Sequence, residues 1–241
     1  MEGEETLVFS ITAIVALAVA VVALAVHYAV WGRRRQAAWS PGGTRVRRYG
    51  AWDRFVLAVT GVCFLVLVGT GLSGAFSEEG LEEWRLWVHM LAAPGFALGL
   101  AAAAVTFAER CRFAPHDAAW LAHGGALFGK QRPLPAGRFD AGQKLFFWLG
   151  VTLGFVALVS IMATLVPVFG DEGQEVLAGV HRYSTLALMV VVLGGAYALL
   201  LVRRGAWRTL VTGAAEEQYV RYYYPTWWEQ LQKQQGHKHG K

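Results

Sequence analysis

The sequence predicts an all-α integral membrane helical bundle. Of 241 residues, 55% are hydrophobic and only 16% are charged, less charge than a soluble domain of this length carries. The apolar residues are gathered into five long blocks, and each block is long enough to cross a bilayer.

The first block runs from about Leu7 to Trp31, the second from about Trp52 to Phe76 and the third from about Trp84 to Ala108. The fourth covers about Leu145 to Phe169 and the fifth about Val176 to Val202. Each holds roughly 20 or more apolar residues, enough for ~30 Å of hydrocarbon. The first block begins with acids in place of a basic n-region, is too long for a signal peptide and is followed by arginines. It reads as a retained anchor.

The connecting segments set the orientation. MEGEE at the N-terminus, SEEGLEEW after the second block and GDEGQE after the fourth are acidic. GRRRQ and RVRRYG follow the first block. Arg110, Arg112, Lys130, Arg132, Arg138 and Lys144 fill the segment after the third, and Arg203-Arg204 opens the tail. Basic and acidic connections alternate, which places the N-terminus outside and the long basic segment and C-terminus inside. The net charge of +5 thus reads as positive-inside topology and not as nucleic-acid binding.

An ionisable residue inside a membrane is costly and points to function. His89 lies near the outer end of the third block and His181 near the outer start of the fifth. Two imidazoles at matching depth on two helices suit axial ligation of a b-type haem. The competing reading is two unrelated histidines hydrogen-bonded across helices. Arg85 and Arg182, on the same outer side, suit haem propionates or else serve as interfacial anchors, whereas Arg54 is on the inner side. Gly95 and Gly99 follow His89 on its side of the helix, and Gly69, Gly71 and Gly74 end the second block. Such glycines admit either a flat macrocycle or a closely packed helix.

The remaining histidines read differently. His27 reads as a snorkelling or packing residue, His116 and His123 as solvated loop residues, and His237 and His239 as part of a disordered polar tail. Cys63 and Cys111 form no C-x-x-C-H, so covalent c-type haem and a cysteine-held iron–sulfur cluster are excluded, and any such cluster belongs to a partner. The aromatic run YVRYYYPTWWEQ reads as an interfacial belt or a docking surface for a partner. A transporter is disfavoured by the lack of mid-membrane acids and of an inverted repeat.

The segment RFDAGQKLFFW (Arg138 to Trp148) resembles a motif of the cytochrome b (gamma) subunit of respiratory formate dehydrogenases, within a wider family that also serves hydrogenases and thiosulfate reductases. The likeness also takes in WDRF and LSGAF around the second block, RLWVHM around His89, His181 itself, RRGAWRTLVTG and YYYPTWW. It spans Arg47 to Gln232 and leaves the first block outside. The resemblance implies an extra N-terminal transmembrane helix (1–35), a four-helix cytochrome b domain (36–205) and a cytoplasmic aromatic and basic tail (206–241).

Family members stack two b haems. His89 and His181 match the ligands of the outer one, while the inner ligand positions hold Leu57 and Gly195, neither of which ligates iron. The resemblance therefore implies one haem b. Gly195 lies fourteen residues beyond His181, about 21 Å of helix, so the family's relay to an inner quinone site has a gap of about that size. Three resolutions stay open: quinone reacts near the outer haem, a partner supplies a second cofactor, or His27 rebuilds an inner site. The family's quinone motif carries asparagine where this chain has Asp140, beside Gly142, Gln143 and Lys144.

The expected role is a membrane-anchoring cytochrome b subunit in a bacterial-type inner membrane, not the catalytic subunit. It would pass electrons between an iron–sulfur subunit and the quinone pool, with a molybdenum, tungsten or other catalytic subunit as further partner. The alternative is a structural anchor without a redox role.

Overall fold

The computed structural model describes residues 2–32, 43–77, 80–128, 133–203 and 205–239. Arg33 to Arg35, Glu78, Glu79, Lys130, Arg132 and Arg204, used above for orientation, lie outside the described residues, as do the side chains of His237 and His239.

Helices dominate. α1 (Glu2–His27) continues into a π-helical turn, Tyr28–Gly32. α2 is Ala51–Ala75, α3 Glu83–Phe107 and the short α4 Pro115–Ala122. α5 (Ala141–Ala163) and α6 (Gly170–Tyr197) follow, and α6 ends in a second π-helical turn, Ala198–Val202. Among the described residues five helices are long and apolar enough to cross a membrane, as the sequence predicts. Their outer faces carry exposed apolar side chains such as Val19, Leu98 and Val105, the surface that lipid solvates.

Two boundaries differ from expectation for one local reason. α5 stops at Ala163, not Phe169, and α6 starts at Gly170, not Val176. Pro167 has no N–H and excludes the helical region for Val166, which is extended (φ −102°, ψ 113°). GDEGQE is consequently the start of a helix and not a connection. Asp171 and Glu172 sit in the first turn of α6, where its dipole favours negative charge.

The chain divides into two compact units, residues 1–23, 55–106 and 149–194 in one and 24–54, 107–148 and 195–241 in the other. The first unit packs Phe64, Phe96 and Leu188 at its centre, with Leu67, Leu100, Leu153 and Met189 around them. Here α2 and α3 approach closely. A Cβ on Gly95 would lie 2.8 Å from Cys63 Sγ, and one on Gly99 would lie 2.6 Å from Thr60 Oγ1 and 3.2 Å from its Cα. Of the two uses open to these glycines, the structure gives both to helix packing. α1 joins through buried Ala13, a hydrogen bond from Ser10 Oγ to Ala75 O (2.6 Å) and an edge-on contact of Phe9 with Tyr183.

The second unit contains what the sequence places in loops and tail. β1 (Arg45–Arg47) pairs antiparallel with β2 (Ala214–Glu216), Val46 opposite Ala215. This ribbon is closed by Gly213, at φ +78°, whose carbonyl accepts from the amides of both Arg48 (2.8 Å) and Tyr49 (2.9 Å). A Cβ there would come 2.6 Å from Tyr49 O, so only glycine fits. α7 (Ala206–Thr212) precedes β2, and α8 (Glu217–Tyr223) and α9 (Pro225–His239) follow it. The aromatic run is no peripheral belt: Tyr219, Val220 and Tyr224 are completely buried and form this unit's core with Trp120, Leu134, Ala136 and Trp227. The polar tail read as disordered is helical through His239.

Candidate functional site

The two membrane histidines belong to the first unit. His89 sits in the second turn of α3, and His181 on α6 three turns in from Gly170. Both are half-buried.

Each ring is held through Nδ1. His89 Nδ1 is 2.8 Å from Thr70 Oγ1. That hydroxyl has one proton and a second acceptor one turn back on α2, Val66 O (2.7 Å). With the proton on Val66 O, the Thr70 oxygen accepts from His89 Nδ1. His181 Nδ1 lies 2.8 Å from Ala157 O on α5, a pure acceptor, so His181 also donates from Nδ1. In both rings this leaves the proton on Nδ1 and the lone pair on Nε2. Nε2 makes no hydrogen bond among the described residues in either ring. An imidazole steered through Nδ1 with a bare Nε2 is the arrangement of a metal-ligating histidine, so these two residues are the ones that could hold a haem iron.

Around the rings, space is uneven. A Cβ on Gly71 would meet His89 Cε1 at 3.6 Å, ordinary contact, and one on Gly69 would meet nothing within 4 Å. Gly74 instead packs against Leu81. Arg85 and Arg182 are half-buried and make no hydrogen bond or ion pair among the described residues. One turn of helix separates Arg85 from His89.

The second unit contains the quinone-motif residues in a buried polar cluster. Asp140 precedes α5 and accepts at Oδ1 from Gln143 N (3.1 Å), while Asp140 N donates to Gln143 Oε1 (3.3 Å), a reciprocal capping box. Asp140 Oδ2 pairs with Arg203. Gln143 Oε1 also accepts from Arg48 Nη2 (3.0 Å) and Tyr224 OH (3.4 Å). Arg48 is 1% exposed; it donates to Tyr224 OH (2.8 Å) and Arg138 O (2.9 Å) and stacks 4.0 Å from the Tyr224 ring centre. A Cβ on Gly142 would lie 2.8 Å from the Trp120 ring, so this glycine admits Trp120. Burial pushes the Asp140 carboxyl up, but the Arg203 guanidinium overrides that and holds it below the usual carboxylate range.

Lys144 is also buried. Its Nζ reaches Asp117 Oδ2 (2.6 Å), which accepts from Ala114 N as well (2.6 Å). His116 is on α4 and not in a solvated loop; its side chain is 26% exposed, with Nε2 turned inward 3.8 Å from Asp117 Oδ1. His123 ends α4 with Nδ1 against Ala119 O (2.7 Å).

His27 is a packing residue, one of the two readings its position allowed. Its Nε2 donates to Leu127 O (3.0 Å), leaving Nδ1 to accept from Tyr197 OH. Trp31, Phe128 and Tyr197 surround the ring. Sequence reasoning missed that Arg48, Arg203 and Tyr224 meet in one network around Asp140 and Gln143, and that Asp117 pairs with Lys144; strand-like RVRRY and the tail gave no sign of it.

No family model matches the chain. It is 22% identical over 204 residues to the cytochrome b556(fdo) subunit of formate dehydrogenase from Escherichia coli K12, an alignment covering 77% of this chain and 93% of that protein. The counterparts from E. coli strains O6:H1 and O157:H7 match to the same extent. The chain is thus a distant relative of a membrane cytochrome b subunit, in keeping with its five apolar helices.

Proposed function

We propose that this chain is the membrane-anchoring cytochrome b subunit of a formate dehydrogenase-like respiratory oxidoreductase. It carries electrons between an iron–sulfur subunit and the quinone pool through a single b haem held by His89 and His181. The observation that carries this reading is the shared setting of the two imidazoles: both are held at Nδ1, and neither Nε2 has a hydrogen bond among the described residues.

When bound, the haem supplies one-electron chemistry. The chain's own residues ligate, orient and tune it. Thr70 and the Ala157 carbonyl fix the ring planes and raise ligand basicity. Arg85 and Arg182 pair with the propionates. The chain holds no substrate chemistry of its own, which belongs to a molybdenum, tungsten or other catalytic subunit beyond the iron–sulfur partner. Alternating loop charge supports a bacterial-type inner membrane location with the N-terminus outside and the C-terminus cytoplasmic. Asp140, Gly142 and Gln143 are the residues that the family motif offers for quinone, and in this chain both carboxylate oxygens of Asp140 and the Gln143 Oε1 already have protein partners.

The test is a dithionite-reduced minus oxidised spectrum of the purified complex, with haem b quantified by pyridine haemochrome per copy of this chain. One haem, lost in His89→Ala and in His181→Ala, is the expected result. No haem b leaves a structural anchor without a redox role.

A further inference from the structure

We infer that the unit bearing the basic loops holds no haem, so that this chain carries no electrons across the membrane beyond the haem of His89 and His181. This rests on the one-haem reading and concerns what the rest of the chain does with it.

A second haem in this unit needs an iron ligand there. The imidazole, thiol and thioether side chains of this unit are His27, His116, His123, His237, His239 and Cys111. The segments 33–42 and 129–132 contain no histidine, cysteine or methionine. His27 is the one placed on a membrane helix, and both of its nitrogens are committed, Nε2–H to Leu127 O and the Nδ1 lone pair to the Tyr197 hydroxyl. Its ring is also walled in by Trp31, Phe128 and Tyr197. That removes the possibility that His27 rebuilds an inner site. His116 is on α4 and His123 just past its end, both outside the five long helices, and His237 and His239 are at the end of α9. Cys111 is 2% exposed in the turn after α3, also outside those helices.

The position of the family's inner ligand is closed as well as empty of a donor. At Gly195 a Cβ would lie 2.4 Å from the Phe146 ring, which occupies the place a longer side chain would need. The quinone motif is closed in a different way. Asp140 is spent on Arg203 and the α5 cap, and Gln143 Oε1 on Arg48, Tyr224 and that same cap. Both the ligand position and these oxygens are here engaged by the chain's own side chains.

The experiment uses the purified complex in quinone-free proteoliposomes, with ferricyanide trapped in the lumen and dithionite added outside. A spanning relay carries electrons inward in either orientation of the complex. The expected result is that dithionite reduces haem b in the outward-facing population while lumenal ferricyanide decays no faster than in protein-free vesicles. Faster loss of ferricyanide, with haem b present, overturns the inference and leaves the cytochrome reading standing. A complex without haem b overturns both.

Discussion

Thr70 Oγ1 stands 2.8 Å from His89 Nδ1 and 2.7 Å from Val66 O, so with its proton on that carbonyl the threonine serves the imidazole as an acceptor. Removing that acceptor frees the ring to turn and to change tautomer. Thr70→Val should retain the fold and weaken haem retention about 10- to 100-fold, the usual cost of losing a supporting partner of a metal ligand. Thr70→Ser should behave as the parent. Haem remaining after graded detergent washing distinguishes them.

The buried pair of Asp140 with Arg203 should be a stability element. Asp140→Asn, which restores the residue of the family motif, leaves Arg203 buried without its counterion and should destabilise by about 3–5 kcal/mol. A lower Tm in detergent checks this. An unchanged Tm would mean that the network closes around the amide without loss.

The same pair predicts a pH dependence. The folded carboxyl of Asp140 titrates below its unfolded value of about 3.9. Its contribution is therefore fully present above that value and is lost as pH falls through the folded one. Stability of the parent should drop more steeply on acidification below pH 4 than that of Asp140→Asn, as unfolding midpoints across pH would record.

Cys111 is 2% exposed and its thiol is pushed up to about 11 by burial. In a Cys63→Ala background it should resist maleimide at neutral pH and react only on unfolding. Rapid labelling of the native protein would contradict the burial of the turn after α3.

Gly99 lets α3 lie against Thr60 of α2. Gly99→Ala forces a Cβ to within 2.6 Å of Thr60 Oγ1 and should cost roughly 1–3 kcal/mol as overpacking. Thr60→Ala in the same chain should relieve part of it, read as a partial recovery of Tm.

The bundle was legible in the sequence because lipid leaves a spanning segment one way to satisfy its backbone, and composition alone then marks the spans. His89 and His181 stood out for the same reason: ionisable groups are rare at that depth. What the linear pattern could not hold was any relation between distant polar residues. Hydropathy says nothing of which proton a histidine carries; that depends on Thr70, nineteen residues away, and on the carbonyl of Ala157. The aromatic tail looked like a belt because Tyr and Trp suit an interface and a core equally well. Its burial with Trp120 and Leu134 depends on a two-stranded ribbon between residues 45–47 and 214–216. The motif around Asp140 read as a quinone site by likeness, and only the folded chain brings Arg48, Arg203 and Tyr224 to claim its polar atoms. Sequence determined the spans and the candidate iron ligands, since both follow from local solvent preference. The tertiary structure decided which polar groups remain free for chemistry, since that is a matter of partners across the fold.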